Sequence, residues 1–96
     1  MSLCFEWDRR KAASNLRKHG VSFDEARTVF HDPLSRIFDD EDHSSDEARE
    51  IIVGHSATMR LLLVSFVERA ENVIRIISAR PTTTRERDDY EENPCH

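Results

Sequence analysis

The chain has 96 residues, enough for one compact domain and too few for a second. Hydrophobic residues make up 38% and charged residues 34%, so a small core must carry a densely ionic surface. No apolar run approaches the roughly 20 residues that a membrane-spanning helix needs. Met1 to Asp8 carries acids where a secretion signal would carry bases, and Cys4 and Cys95 are too few for a disulfide framework or zinc motif. The expectation is a cytosolic chain with free thiols.

The net charge of −5 argues at first sight against a nucleic-acid partner, but the acids are clustered. Of 19 acids, six fall in Asp39–Glu47 and four in Asp88–Glu92, leaving 9 against 14 Lys and Arg. The remainder is basic, so charge permits an RNA substrate without indicating one.

Phe5-Glu6-Trp7 reads as an edge strand or an aromatic lead-in to the core. Asp8 is a good N-cap for a helix from Arg9 to His19, with Ala12 or Ala13 and Leu16 facing inward. Arg17-Lys18-His19 suits the negative end of that helix, and Gly20 suits a left-handed C′ position. Ser22 and Glu25 form a capping-box pattern that opens a second helix, Phe23 to about Phe30, stopped by Asp32-Pro33.

Ser35–Asp39 reads as a short strand, followed by Glu50–Ser56, Leu61–Glu68 and Val73–Ala79, joined by connections of hairpin length. The second of these three is apolar on both faces and should be central. Pro81 and Thr82-Thr83-Thr84 open a last helix, roughly Thr84 to Glu91. The expected fold is α+β: two N-terminal helices on a four-stranded antiparallel sheet, with a short C-terminal helix and one sheet face left partly polar.

Phe5-Glu6-Trp7-Asp8, Lys11, Asn15, Lys18-His19-Gly20-Val21-Ser22-Phe23, Ala26 and Phe30-His31-Asp32-Pro33 together resemble the BrnT family of bacterial toxins. Glu47, Arg49, Gly54, Arg75–Arg80, Glu86-Arg87 and Tyr90 continue the likeness, in order, to near the end of the chain. The resemblance implies a RelE-like fold, metal-independent ribonuclease activity that blocks translation, and no cofactor. It also implies neutralisation by a ribbon-helix-helix antitoxin of the BrnA type, through which alone the complex would touch DNA. One departure stands out. The family often has glycines in the turns around Ala57–Arg60 and Ala70–Asn72, and this chain has none there.

Metal-free RNA cleavage needs a base for the 2′-hydroxyl, cations for the phosphorane and an acid for the leaving oxygen. Arginine suits the cation role, because its planar fork can pair two phosphoryl oxygens. Arg75, Arg80, Arg85 and Arg87 cluster around the last strand and last helix. Strand alternation places Arg75 and Arg80 on opposite faces unless a bulge intervenes, which makes Arg75 the stronger candidate for the open face. The plainer reading makes both of them rim ion pairs.

Tyr90 shares a helical face with Glu86 or Arg87, as a stacking or acid–base group, or else as a half-buried anchor with Glu86 a helix-start carboxylate. Glu68 with Arg69 offers a carboxylate and a cation at a hairpin end, or simply a solvated turn. Lys18 and His19 would bind RNA only if folding brings them to the open sheet face, and His55 reads as structural. Catalytic candidates are therefore Arg75, Arg80, Glu68, Glu86 and Tyr90, with Lys18, His19, Arg69, Arg85 and Arg87 on the RNA path. Asp39–Asp42 with His43 lacks the glycine and terminal glutamate of a calcium loop, and no metal is expected. The competing function is a non-catalytic domain whose acidic stretches bind a basic protein. Direct DNA binding by the second helix suits it poorly, since it carries Asp24 and Glu25 beside a single arginine, Arg27.

Overall fold

The computed structural model describes residues 3–40 and 48–92. The acidic stretch 41–47 with His43, and Cys95, lie outside the described residues. Cys4 is a free, exposed thiol.

The elements run β1 (Cys4–Glu6), α1 (Arg9–His19), α2 (Phe23–Thr28), β2 (Arg36–Asp39), β3 (Arg49–His55), β4 (Leu61–Ala70), β5 (Val73–Pro81) and α3 (Thr84–Glu92), with a 3-10 turn, Val29–His31, after α2. The strands form one sheet in the order β1-β5-β4-β3-β2. The expected four-stranded antiparallel meander is present as β2 to β5, with β4 at its centre. The expectation of a wholly antiparallel sheet fails, because Cys4–Glu6 adds a fifth strand parallel to Val73–Arg75 and makes the sheet mixed. A three-residue strand joined to its partner by the length of the chain carries no hairpin signal, so pattern alone could not pair it.

Local chemistry accounts for the helix ends. Asp8 accepts hydrogen bonds from the Arg10 and Lys11 amides, and Gly20 takes φ 69° while its amide donates to the Leu16 carbonyl. Ser22 caps α2 through the Glu25 amide, but the Glu25 carboxylate does not complete the box. It reaches instead to Ser56, Thr58 and Arg60 and ties α2 to the β3–β4 turn. A complete capping box opens α3: the Thr83 amide donates to Glu86 at 2.9 Å and the Glu86 amide to the Thr83 hydroxyl at 3.1 Å.

The turns without glycine use Met59 and Asn72 in the left-handed region, at φ 67° and 64°. Asparagine tolerates that conformation, whereas for Met59 it costs on the order of 1 kcal/mol. Gly54 answers a different need: a Cβ there would lie 2.8 Å from the Ser35 Cβ, so only glycine lets the chain before β2 pass so close to β3.

Helices α1 and α2 cover one sheet face, where Phe23, Val29, Ile52, Leu62, Val64, Phe66, Ile76 and Ala79 pack with Val21 and Ala26. Each large apolar side chain so buried contributes roughly 1.5–3 kcal/mol. Edge-to-face contacts link Phe5 to Phe30 and Phe30 to Phe66 at 5.2 and 5.0 Å.

Leu16, expected to face inward, is 51% exposed, and Asn15 takes the buried position. Its carboxamide accepts from the Ala79 amide at 3.1 Å and donates to the Ala79 and Val21 carbonyls at 2.8 and 2.9 Å. Asn15 thus supplies the pairing that β5 lacks beyond the end of β1, and it fixes α1 along that edge. α3 lies on the opposite sheet face from α1 and α2, so the helices are not confined to one side.

Candidate active site

A β-bulge decides which side chains share the outer face. Ser65 pairs with Ser78 while Phe66 pairs with Ile76, so Ile77 is an extra residue on β5. With Ile77 absorbed there, Arg80 opposes Leu63, Ser78 opposes Ser65 and Arg75 opposes Val67, all on the sheet face away from the core. Arg75 and Arg80 therefore lie on one face. Their partners, Leu63 and Val67, are four positions apart on β4, which places the two arginines roughly 13 Å apart along the strand.

Each arginine also has its own carboxylate. Arg75 donates to Glu6 of β1 at 3.0 Å, at the far end of the sheet. Arg80 meets Glu86 in a bidentate pair, with both Nη atoms 2.8 Å from carboxylate oxygens. The two do not converge on one pocket. Arg80 alone borders the polar recess.

That recess, about 400 Å³, is lined by His19, Asp40, Ser65, Ser78, Arg80 and Glu86 over an apolar base that includes Leu63. Its polar walls draw on α1, the residue after β2, β4, β5 and α3. Asn15 holds α1 against the β5 edge, so His19, one helical turn further on, arrives at the outer face. The bulge aims Ser78 and Arg80 outward, and the Thr83 cap starts α3 so that its third residue returns to Arg80. The Arg80 hydrogen bonds hold the Glu86 carboxyl at about 2, against 4.5 ordinarily, with burial opposing and the Thr83 contacts assisting. Glu86 in turn raises Arg80 above the usual arginine value. The recess thus contains a paired guanidinium and carboxylate, with the His19 and Asp40 side chains on its walls.

The remaining candidates are dispersed. Tyr90 sits one turn beyond Glu86, where its hydroxyl donates to the Leu34 carbonyl at 2.9 Å and its own carbonyl accepts from Arg36 at 2.7 Å. The Arg36 guanidinium also lies 4.6 Å from the Tyr90 ring centre. Tyr90 thus anchors α3 to β2. Glu68 opposes Ile74 and shares the helix-side face with Phe66, away from Arg80, and Arg69 is exposed near the β4–β5 turn. Arg87 pairs with Glu91 at 3.7 Å, and Arg85 and Lys18 are exposed. His55 has a backbone amide bonded to Asp32 at 2.7 Å and its ring against Tyr90, which fits a structural role.

Asp40, Ser65 and Ser78 were not singled out from the sequence. The available signal was Ser65, the one polar residue within the apolar run Leu61–Val67. Among the described residues no group of His, Cys, Asp and Glu is placed to hold a metal ion, and no helix is long and apolar enough to cross a membrane.

Comparison with known proteins fits this geometry to a family. No curated relative matches the chain in sequence. The fold is similar to that in the 1.1 Å crystal structure of the Brucella abortus ribonuclease toxin BrnT, with a TM-score of 0.66 and 19% identity over 86% of this chain and all of that one. Residues 7–86 match the family model described as the ribonuclease toxin BrnT of type II toxin–antitoxin systems. The chain belongs to the BrnT family of ribonuclease toxins.

Proposed function

We propose that this chain is a RelE-like endoribonuclease that cleaves RNA without a metal ion, with Arg80, Glu86 and His19 as its reacting groups. The observation that carries this is the recess that sets the Arg80–Glu86 pair beside His19. In the reaction Arg80 exchanges one carboxylate bond for a phosphoryl oxygen, which neutralises charge where the phosphorane forms. Glu86, released in part, takes the proton of the 2′-hydroxyl. The 2′-oxygen then bonds to phosphorus as the bond to the 5′-oxygen breaks, and His19 in its protonated form gives that oxygen a proton. The products are a 2′,3′-cyclic phosphate and a 5′-hydroxyl.

Lys18 and Arg85, exposed and next in sequence to His19 and Glu86, extend the RNA path in this reading, with Arg87 further along α3. Arg75, Arg69, Glu68 and Tyr90 act in folding or on outlying RNA rather than on the scissile group. Cleavage of messenger RNA in the cytoplasm would block translation, and a ribbon-helix-helix antitoxin of the BrnA type would cover the toxin until released.

Purified chain incubated with RNA in EDTA tests the reading. Cleavage with cyclic-phosphate ends is expected. Intact RNA with a folded preparation, or activity that depends on added metal, would refute it. A growth arrest that a co-expressed antitoxin relieves tests the cellular half.

A further inference from the structure

A second cavity adjoins the recess and is not used by the reaction above. It lies between α3 and the outer sheet face, has a volume of about 570 Å³, and its apolar lining comes from Phe38, Ile51, Val53 and Leu63. Ile51, Leu63 and Glu86 border both cavities, so the two lie side by side. Polar groups are few. Asp89 lies on the wall, and Arg36 lines the cavity with an Nε–H that is buried and has no acceptor among the described residues. A largely apolar slot with a donor and an acceptor on its walls, beside a polar recess that holds Arg80, has room for a nucleotide: base in one compartment, phosphate in the other.

We infer that the cavity under α3 is a subsite for a guanine base next to the scissile phosphate. Single-stranded RNA is read by splaying bases out onto apolar or aromatic surfaces and bonding their edges. Asp89 as a carboxylate only accepts, which calls for adjacent N–H donors on the base, and Arg36 only donates, which calls for a ring carbonyl. Guanine carries the carbonyl and two neighbouring N–H groups on one edge. Adenine has no carbonyl, uracil flanks its single N–H with two carbonyls, and cytosine offers one donor group. A purine ring is also long enough to reach from Leu63 at the shared border towards Arg36.

This rests on the ribonuclease reading only for the position of the phosphate, so the test reads binding without turnover. Methyl-labelled chain is titrated with the four nucleoside 3′-monophosphates and with inorganic phosphate, while the NMR signals of Ile51, Val53 and Leu63 and the Arg80 side chain are followed. 3′-GMP should shift the Val53 and Leu63 methyls together with Arg80, and bind about tenfold tighter than the other three, the discrimination expected of one matched hydrogen-bond pair. Phosphate should shift Arg80 alone. In Val53→Phe, which fills the slot, the Leu63 response to 3′-GMP should disappear while the Arg80 response to phosphate remains. Equal affinities for all four nucleotides, or 3′-GMP shifts confined to Arg80, would overturn the inference. Retained 3′-GMP shifts in a chain that leaves RNA intact would support the subsite and count against the ribonuclease reading alone.

Discussion

Arg80 at the end of β5 and Glu86 in the first turn of α3 are joined by two parallel hydrogen bonds of 2.8 Å, in a polar recess that His19 also lines. The carboxylate both starts a helix and occupies the cation that a phosphate would need. Glu86→Gln separates these tasks, since an amide oxygen can still accept from Thr83. RNA affinity is expected to rise about threefold to tenfold at low salt, as a neutral partner competes less for Arg80. The cleavage rate should fall at least about tenfold with the loss of the proton acceptor. Anisotropy with a non-cleavable RNA and single-turnover rates check the two halves. A change in which both move together would show that Glu86 has only one of these roles.

His19 reaches the recess from another element, so its substitution should leave the Arg80–Glu86 pair intact. His19→Gln is expected to reduce cleavage by about 10²–10⁴-fold and to flatten one limb of the pH–rate profile. RNA binding should remain within a few-fold of the parent. A mutant with parent-like pH dependence would remove His19 from proton transfer.

Two carboxylates set the acid limit of stability. Glu25, bonded by Arg60, Thr58 and Ser56, and Glu86, bonded by Arg80, are both held at about 2 against 4.5 when unfolded. Their folded values are lower, so their contribution is complete above pH 4.5 and is lost as pH falls towards 2. Arg60 is 41% exposed and the Arg80 pair about one third exposed, so the sum is discounted to about 2 kcal/mol. Glu50, raised by burial and by Asp39 and Glu68, works in the opposite direction and softens the decline. Denaturant titrations at pH 6 and pH 3 should show the loss, and Glu25→Gln should remove a large share of it.

Asn15 is the buried polar residue that closes the β5 edge. In Asn15→Ala, the Ala79 amide and carbonyl and the Val21 carbonyl each lose a partner. The expected cost is about 2–4 kcal/mol by denaturant unfolding. Displacement of α1 from the edge would also move His19, so a folded Asn15→Ala should cleave RNA more slowly than its stability loss explains. A change below about 0.5 kcal/mol would mean that water replaces the side chain at that edge.

Local codes made much of the fold legible. The caps at Asp8, Gly20 and Ser22, the Asp32-Pro33 stop and the largely apolar run of β4 each act within a few residues, and the elements follow them closely. The parallel pairing of Cys4–Glu6 and the inward turn of Asn15 rather than Leu16 depend on partners 64 or more residues away, so no window on the sequence contains them. The site shows the same division. Arginine chemistry pointed to Arg80, but the bulge at Ile77 carries no glycine to mark it, and the pairing of Arg75 with Glu6 depends on the parallel strand from the other end of the chain. His19 became a site residue through the tertiary anchor at Asn15.

The most direct test compares Arg80→Ala with Arg75→Ala in one cleavage assay on a single RNA in EDTA, with folding verified by circular dichroism. Arg80→Ala should lose about 10²–10³ in rate, the usual effect of removing a transition-state charge partner, while Arg75→Ala stays within about tenfold of the parent. Parent-like cleavage by Arg80→Ala would contradict the assignment of the chemistry to this recess.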